Sequence, residues 1–145
     1  MNISEIQTPQ PVLGLYEEPM WESIRARKMR LQRCSDCGAT RYPPGPTCPA
    51  CLSANAEWEP ISGRGVIVSW VVFHRQYLPA YSAPYNVIAV RLEEGPIFIS
   101  NLEGEEPEDS WIGRPVRMVY RAMPDGFLLP RFVLDDATDA GSPHV

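Results

Sequence analysis

CSDCGATRYPPGPTCPAC, residues 34–51, contains all four cysteines of the 145-residue chain. They form two C-x-x-C pairs separated by ten residues. Two residues between ligands let one tight turn present two thiolates to one ion, and two such turns complete a tetrahedral shell of sulfurs. The spacing therefore predicts a zinc site, with iron in the same shell as the chemical alternative and disulfides as a weaker one. The predicted ligands are Cys34, Cys37, Cys48 and Cys51.

A zinc ion with four thiolate ligands has no open position for water or substrate, so the predicted site is structural rather than catalytic. The ribbon around it, predicted at residues 34–58, is too short to bury much apolar surface, and metal binding can supply its folding free energy. The two turns differ in sequence. Gly38 follows the first pair, but Leu52 follows the second. This difference predicts either slight backbone strain at Leu52 or a packing role for its side chain.

The residues before the ribbon predict an extended segment followed by a helix. Residues 1–16 are polar and contain prolines, which favours extended chain. The N-terminal helix is predicted within residues 17–33 and reaches about Met29, because acidic residues at its start favour the positive end of a helix. Trp21 and Ile24 fall on its apolar face. That face covers the chain's own core in one interpretation and docks on another subunit in the other.

The rest of the chain predicts five β-strands and a short tail. Each segment is rich in Val, Ile and aromatic residues and is bounded by turn signals. The segments are residues 66–75, 85–92, 97–102, 115–123 and 127–134. The first is predicted to be buried on both faces over part of its length, and Pro130 predicts an edge or a bulge. The sequence therefore predicts a mainly β protein with a five-stranded OB-fold barrel at residues 59–134, an open sandwich being the alternative. Residues 135–145 are predicted to be a disordered tail.

The charge distribution argues against a nucleic-acid-binding protein. The net charge is −5, with about +1 over residues 1–90 and −6 over residues 91–145. Binding to nucleic acid draws much of its affinity from basic residues that neutralise phosphates. The sequence has no apolar run long enough to cross a membrane and no secretory signal pattern, which predicts a cytoplasmic protein with reduced cysteines.

Residues 74–85 contain the other candidates for a functional site. His74 could act as a base or donate a hydrogen bond to a ligand, but a lone histidine at the end of a strand is more often structural. All four cysteines are assigned to the metal, and no nucleophile elbow or phosphate loop is present. A non-catalytic protein is therefore predicted. Tyr77 and Tyr81 lie in an apolar loop that either contacts a ligand or partner or folds back as a lid on the barrel's own core.

The order of these motifs resembles a known family. A helix with a tryptophan (PMWESIRARKMRLQRC) precedes the ribbon, and AEWEPISGRGVIVSWVVFHR, YNVIAVRLEEGPIFISNLEG and IGRPVRMVYR follow it. Over residues 17–134 this arrangement is similar to the zinc-ribbon plus OB-fold proteins that accompany thiolases and related acyl-CoA enzymes. The resemblance implies that the four cysteines are the metal ligands. It also implies that the helix and ribbon pack on a partner enzyme, which carries the catalytic residues, and that the barrel lies near the path of acyl-CoA.

By the same resemblance, His74, Arg75, Tyr77 and Tyr81 are candidates to face the CoA channel or the partner. The resulting hypothesis is a non-catalytic accessory subunit of a hetero-oligomeric acyl-CoA-processing complex, with a thiolase-like partner. Two alternatives stay open at the level of the sequence. One is a single-stranded nucleic-acid-binding OB-fold protein, whose aromatic residues would stack on bases. The other is a small enzyme that uses His74.

Overall fold

The computed structural model describes residues 8–135, which fold as one short helix and eight strands in two antiparallel sheets. Predictions for residues 1–7 and 136–145 lie outside the described residues. The elements are α1 (Glu17–Arg25), β1 (Arg30–Cys34), β2 (Thr40–Arg41), β3 (Ala56–Pro60), β4 (Arg64–Phe73), β5 (Tyr85–Leu92), β6 (Ile97–Ser100), β7 (Pro115–Ala122) and β8 (Leu128–Leu134). Within the described residues, no helix has the length and apolar character needed to cross a membrane.

Helix α1 is shorter than predicted and ends at Arg25 rather than near Met29. The N–H of Lys28 donates to the carbonyl of Ser23 (3.0 Å) and that of Arg27 to the carbonyl of Ile24 (2.9 Å). This pair of bonds is the Schellman termination, which places its reversal residue in the left-handed region. That residue is Arg27, with φ of 59°. Because glycine usually occupies this position, an arginine here does not indicate the end of the helix in the sequence.

The ribbon is a three-stranded sheet of order β2-β1-β3. Its central strand begins at Arg30, which pairs with Pro60 on β3. The predicted helical segment 17–33 therefore ends too late, since residues 30–34 belong to the ribbon sheet. The side chain of Ser23 fixes this junction: its hydroxyl donates to the carbonyl of Met20 (2.5 Å) and accepts the N–H of Arg30 (2.9 Å).

The second sheet has the order β6-β5-β4-β7-β8 and curls into a half-closed barrel, which confirms the OB-type prediction. The two edge strands approach each other near Phe132: its N–H donates to the carbonyl of Asn101 (3.1 Å), and Leu102 forms a single parallel bridge with it. Buried Asn86 fixes this closure, because its side chain bonds both the N–H (2.6 Å) and the carbonyl (2.9 Å) of Leu102. Pro130 lies on edge strand β8, as predicted.

One hydrophobic core joins the helix, the ribbon and the barrel. Its fully buried barrel residues are Ile67, Ile88, Val90, Val116 and Phe132. Helix α1 adds Met20 and Ile24, and the start of the ribbon adds Met29 and Leu31. The ring of Tyr42 in the ribbon also contacts Phe98 in the barrel, with centroids 4.8 Å apart. The ribbon is thus packed on the barrel and is not a separate appendage.

Strand β4 differs from its prediction in bounds and in burial. It runs from Arg64 to Phe73, so His74 and Arg75 lie beyond its end. The prediction of burial on both faces is wrong for the chain by itself. Ile67 is fully buried, but Val71 on the opposite face is 48% exposed, because no element within residues 8–135 covers that side.

Candidate metal centre and exposed apolar face

The four cysteines converge, with their Sγ atoms within 4.8 Å of one another. Two adjacent pairs, Cys34 with Cys51 and Cys37 with Cys48, each have Sγ atoms 3.5 Å apart. This distance is too long for a disulfide, and all four are free thiols. A tetrahedral zinc ion with Zn–S bonds of about 2.3 Å separates its sulfurs by about 3.8 Å. The cluster therefore fits a structural zinc ion, which the four ligands enclose.

Two turns with the same hydrogen bonds present the four thiols. In the first, the N–H of Cys34 donates to the carbonyl of Ala39 (2.8 Å), and in the second that of Cys48 donates to the carbonyl of Ser53 (2.8 Å). Each turn places a residue in the left-handed region: Gly38 has φ of 79° and Leu52 has φ of 64°. Leu52 is 77% exposed. Of the two predicted roles, the positive φ favours backbone strain, and the exposure of the side chain makes the packing role wrong.

Backbone N–H groups favour the thiolate at all four cysteines, but the net pKa shift is downward only at Cys34 and Cys48. The N–H of Cys37 points at Sγ of Cys34 (3.5 Å) and lowers the pKa of that thiol to about 6. The N–H of Cys51 likewise lowers the pKa of Cys48. At Cys51 the N–H of Ser53 lowers the pKa, but the neighbouring thiols raise the pKa to about 12. Four adjacent thiolates need a cation between them, and a bound zinc ion supplies that charge.

A polar bridge that the sequence interpretation did not anticipate links the two turns. The hydroxyl of Ser53 and the amide of Asn55 (3.3 Å) both donate to the carboxylate of Asp36. These hydrogen bonds hold the pKa of Asp36 below its usual value. The carbonyl of Asn55 also accepts the N–H of Ser35 (2.9 Å). Hydrogen bonds from side chains therefore connect the two turns, in addition to the metal site.

The structure brings three of the four candidates after β4 into one aromatic cluster. Its rings form a chain, with centroid distances of 6.0, 5.2 and 5.9 Å, in the order Tyr77, Phe73, Tyr85 and Tyr81. The guanidinium of Arg75 lies 5.4 Å from the centroid of Tyr77. His74 is exposed in the bend beside them. Tyr77 is 61% exposed, so it does not form a lid over the barrel core. Contact of these residues with a ligand or partner stays a prediction.

The two helix residues predicted to dock on a partner face inward to different extents. Ile24 is fully buried in the shared core. Trp21 is half-buried, and its ring lies 5.4 Å from that of Phe127 on the barrel. Docking through the helix also stays a prediction, but Ile24 could support it only by fixing the helix, since its own side chain has no exposed surface.

The sequence interpretation missed a continuous apolar face on the outside of the sheet. In the strand register Val71 lies opposite Val87, Phe73 opposite Tyr85, and Ala89 opposite Ile99. Alternation places these side chains on the opposite face from buried Ile88 and Val90. Ile99 is 60% exposed. We call Val71, Phe73, Val87, Ala89 and Ile99 the outer β4–β6 face. The signal for it is the largely apolar sequence of β4, which predicts burial but does not indicate what covers the strand.

Known proteins match both parts of this architecture. Residues 21–57 match the family described as "ChsH2, rubredoxin-like zinc ribbon domain", and residues 58–121 match "ChsH2, C-terminal OB-fold domain". A DUF35 domain-containing scaffold protein of Pyrococcus furiosus is 32% identical over 116 residues, which cover 75% of this chain and 84% of that protein. A probable enoyl-CoA hydratase alpha subunit of Thermomonospora curvata is 34% identical over 86% of this chain, but the match spans only 39% of that protein.

A solved structure agrees with these matches. A chain of the Ltp2-ChsH2(DUF35) aldolase superposes with a TM-score of 0.78 at 33% identity, covering 86% of this chain and 98% of that chain. The zinc ribbon, the OB-fold sheet and the similarity along the chain thus coincide. The chain belongs to the family of DUF35 proteins, which combine a ChsH2-type zinc ribbon with an OB-fold domain.

Proposed function

We propose that this chain is a non-catalytic accessory subunit of an acyl-CoA-processing complex, in which it joins a thiolase-like enzyme and helps to bind or shield acyl-CoA. Names of related proteins support this proposal. One relative is a scaffold protein, another is a hydratase alpha subunit, and a structural relative comes from an aldolase that pairs ChsH2 with Ltp2. All three names describe proteins that work in assemblies.

The observation that carries the proposal is the outer β4–β6 face. It contains five apolar side chains on three adjacent strands, and several are exposed by more than a third of their surface. Contiguous apolar surface of this kind is typical of sites that contact another protein. A strand that is apolar on both faces is expected where both faces are covered. A partner subunit on this face would cover the second one.

The aromatic cluster lies at the end of the same face, since Phe73 belongs to both. Exposed rings with Arg75 beside them combine an apolar contact surface with a positive charge. Such a combination suits the edge of an interface through which an acyl-CoA passes, with the guanidinium near phosphate and the rings near the apolar parts. We assign Arg75, Tyr77 and Tyr81 to this edge, and His74 to its exposed rim.

The experiment is a pull-down from the source cell with this chain as bait, followed by reconstitution with the thiolase-like enzyme that it is expected to capture. We expect the two proteins to elute together on size exclusion, with acyl-CoA turnover by the complex and none by this chain alone. Ile99→Lys should weaken the association by at least about tenfold, because a charge would be desolvated in the contact. Its fold should persist, since Ile99 is exposed on an edge strand that tolerates lysine.

Val12→Lys is the matched control, because Val12 is 92% exposed and lies outside the sheet. It should associate like the unmodified chain. If the enzyme were stable and fully active by itself and did not elute with this chain, the proposal would be wrong. Salt-sensitive micromolar binding of single-stranded oligonucleotides that Tyr77→Ala abolishes would instead support the nucleic-acid alternative.

A further inference from the structure

A buried arginine in the ribbon carries a charge that no residue among 8–135 balances. Arg41 ends β2 and is only 5% exposed. All three of its guanidinium nitrogens are inaccessible, and none has a hydrogen-bond partner within the part of the chain that the structure describes. A guanidinium stays protonated in proteins. A buried charge without a partner is strongly unfavourable, so this position favours any anion that can reach it.

The polar groups nearest in the ribbon are already engaged. Gln32 lies directly opposite Arg41 in the β1–β2 ladder, but its side-chain oxygen accepts the N–H of Gly45 (2.8 Å). Arg33, on the same sheet, differs from Arg41 because its guanidinium has hydrogen-bond partners. Arg33 is exposed and donates both to the carbonyl of Gly38 (3.2 Å) and to the carboxylate of Glu59 (3.4 Å). The ribbon thus satisfies its exposed arginine and leaves its buried arginine unsatisfied.

A cleft of about 460 Å³ lies beside Arg41, between the ribbon and the β5–β6 turn. This volume is in the range of small-molecule sites. Thr40, Tyr42, Thr47 and Pro96 are among the residues that line it. None of the lining residues, all within the described range, is acidic. The cleft therefore combines a cation, hydroxyl donors and flat apolar walls in a protein whose net charge is negative.

We propose that this cleft binds a phosphate group, either free or carried by a small organic molecule, with Arg41 as its counter-charge. The planar guanidinium matches two phosphate oxygens at once, which makes this pair strong and directional. The hydroxyls of Thr40 and Thr47 supply further donors. The rings of Tyr42 and Pro96 offer a surface for the organic part. Because the guanidinium nitrogens of Arg41 are covered, phosphate binding displaces residues that line the cleft.

The test is an NMR titration of the zinc-loaded chain with inorganic phosphate and, separately, with AMP, at constant ionic strength. We expect saturable shifts of the Arg41 Nε–H signal and of the amides of Thr40, Gly45 and Gly95. AMP binding about tenfold tighter than phosphate identifies an organic phosphate as the ligand, whereas equal affinities identify free phosphate. No shifts at 20 mM of either compound, or shifts spread over exposed arginines, would overturn the proposal.

Two variants locate the site independently. Arg41→Met should melt at the same temperature as the unmodified chain or higher in phosphate-free buffer, because it removes an unbalanced buried charge. Phosphate at about ten times its Kd should raise the melting temperature of the unmodified chain by about 3 °C, and Arg41→Met should lose this rise. Arg33→Met, the matched control, should keep that rise. An equal rise in Arg41→Met would contradict the assignment.

Gly45→Leu tests the cleft with Arg41 intact. A Cβ at Gly45 meets nothing within 4 Å, so the larger side chain fits without a clash and projects into open space at the cleft. We expect phosphate binding to weaken by about tenfold while the fold persists. Undiminished binding would place phosphate elsewhere on the molecule.

Discussion

The ribbon and the barrel are stabilised in opposite ways. The ribbon has strands of five, two and five residues, and its organisation depends on four sulfurs within 4.8 Å of one another. The barrel has five strands around fully buried side chains such as Ile67 and Phe132. Stability is therefore concentrated at one point in the ribbon and distributed over a large contact area in the barrel. A substitution of equal cost should therefore disrupt the whole ribbon, whereas in the barrel the remaining contacts should preserve the fold.

The largest expected effect follows from Cys48→Ser, which removes a fully buried ligand of the ribbon. We expect the ribbon to lose its structure and the melting temperature to fall by about 15 °C, from a loss on the order of 4 kcal/mol in the free energy of unfolding. Differential scanning calorimetry and the amide spectrum of residues 30–60 measure the two effects. Addition of a zinc chelator to the unmodified chain should reproduce both.

Ser35→Ala is the control, since it alters an exposed residue of the other cysteine turn and leaves all ligands in place. Its melting temperature should stay within about 2 °C of the original. A Cys48→Ser protein that kept one zinc ion and its melting temperature would remove the basis for the comparison, because the ribbon would then not depend on its metal site.

The second effect follows from Phe132→Ala in the barrel core. Removing this fully buried ring should cost about 3 kcal/mol, with a fall of about 10 °C in the melting temperature. Because the barrel distributes its contacts, the fold and the metal site should persist below that temperature. Cobalt substitution reports the site directly, and we expect its thiolate charge-transfer band to be unchanged at 15 °C.

Ile112→Ala, which shortens an exposed side chain, should change the melting temperature little. If the cobalt band disappeared in Phe132→Ala at 15 °C, the ribbon would depend on the barrel for its structure. The two regions would then form one unit of stability, as their shared core through Leu31 and Tyr42 also allows.

The smallest effect distinguishes the two turns of the ribbon. Leu52→Gly should raise the free energy of unfolding by about 1 kcal/mol, because glycine adopts a positive φ without the steric cost that leucine has. The melting temperature should rise by about 3 °C. Gly38→Ala at the equivalent position should lower it by a similar amount. Equal melting temperatures for Leu52→Gly and the unmodified chain would show that the left-handed conformation is unstrained.

The sequence predicts those features of the fold that neighbouring residues determine, and it misses those that depend on residues far apart in the chain. The cluster of four cysteines and strand β5 were predicted to the residue, because cysteine spacing and alternation are read from nearby positions. The end of α1 was missed because Arg27, rather than a glycine, adopts the left-handed conformation. The barrel closure through Asn86 joins residues 16 apart in the chain through a side chain, and no pattern in the sequence indicates such a contact.

The candidate sites show the same limit. An apolar run such as β4 indicates burial but not what covers it, so the outer β4–β6 face was assigned to the chain's own interior. The sequence does not single out Arg41, since its burial arises only when the ribbon folds against the β5–β6 turn. Both features depend on which elements lie next to each other in space.

The outer β4–β6 face has a consequence for how a cell must produce this protein. Under the proposed function, every copy made in excess of its partner leaves Val71 and Ile99 exposed to water. Exposed apolar strands next to the open edge of β6 are sites where identical chains associate and where chaperones and proteases bind. Balanced synthesis of the two subunits therefore limits aggregation, and surplus copies of this chain should have a shorter lifetime than assembled ones.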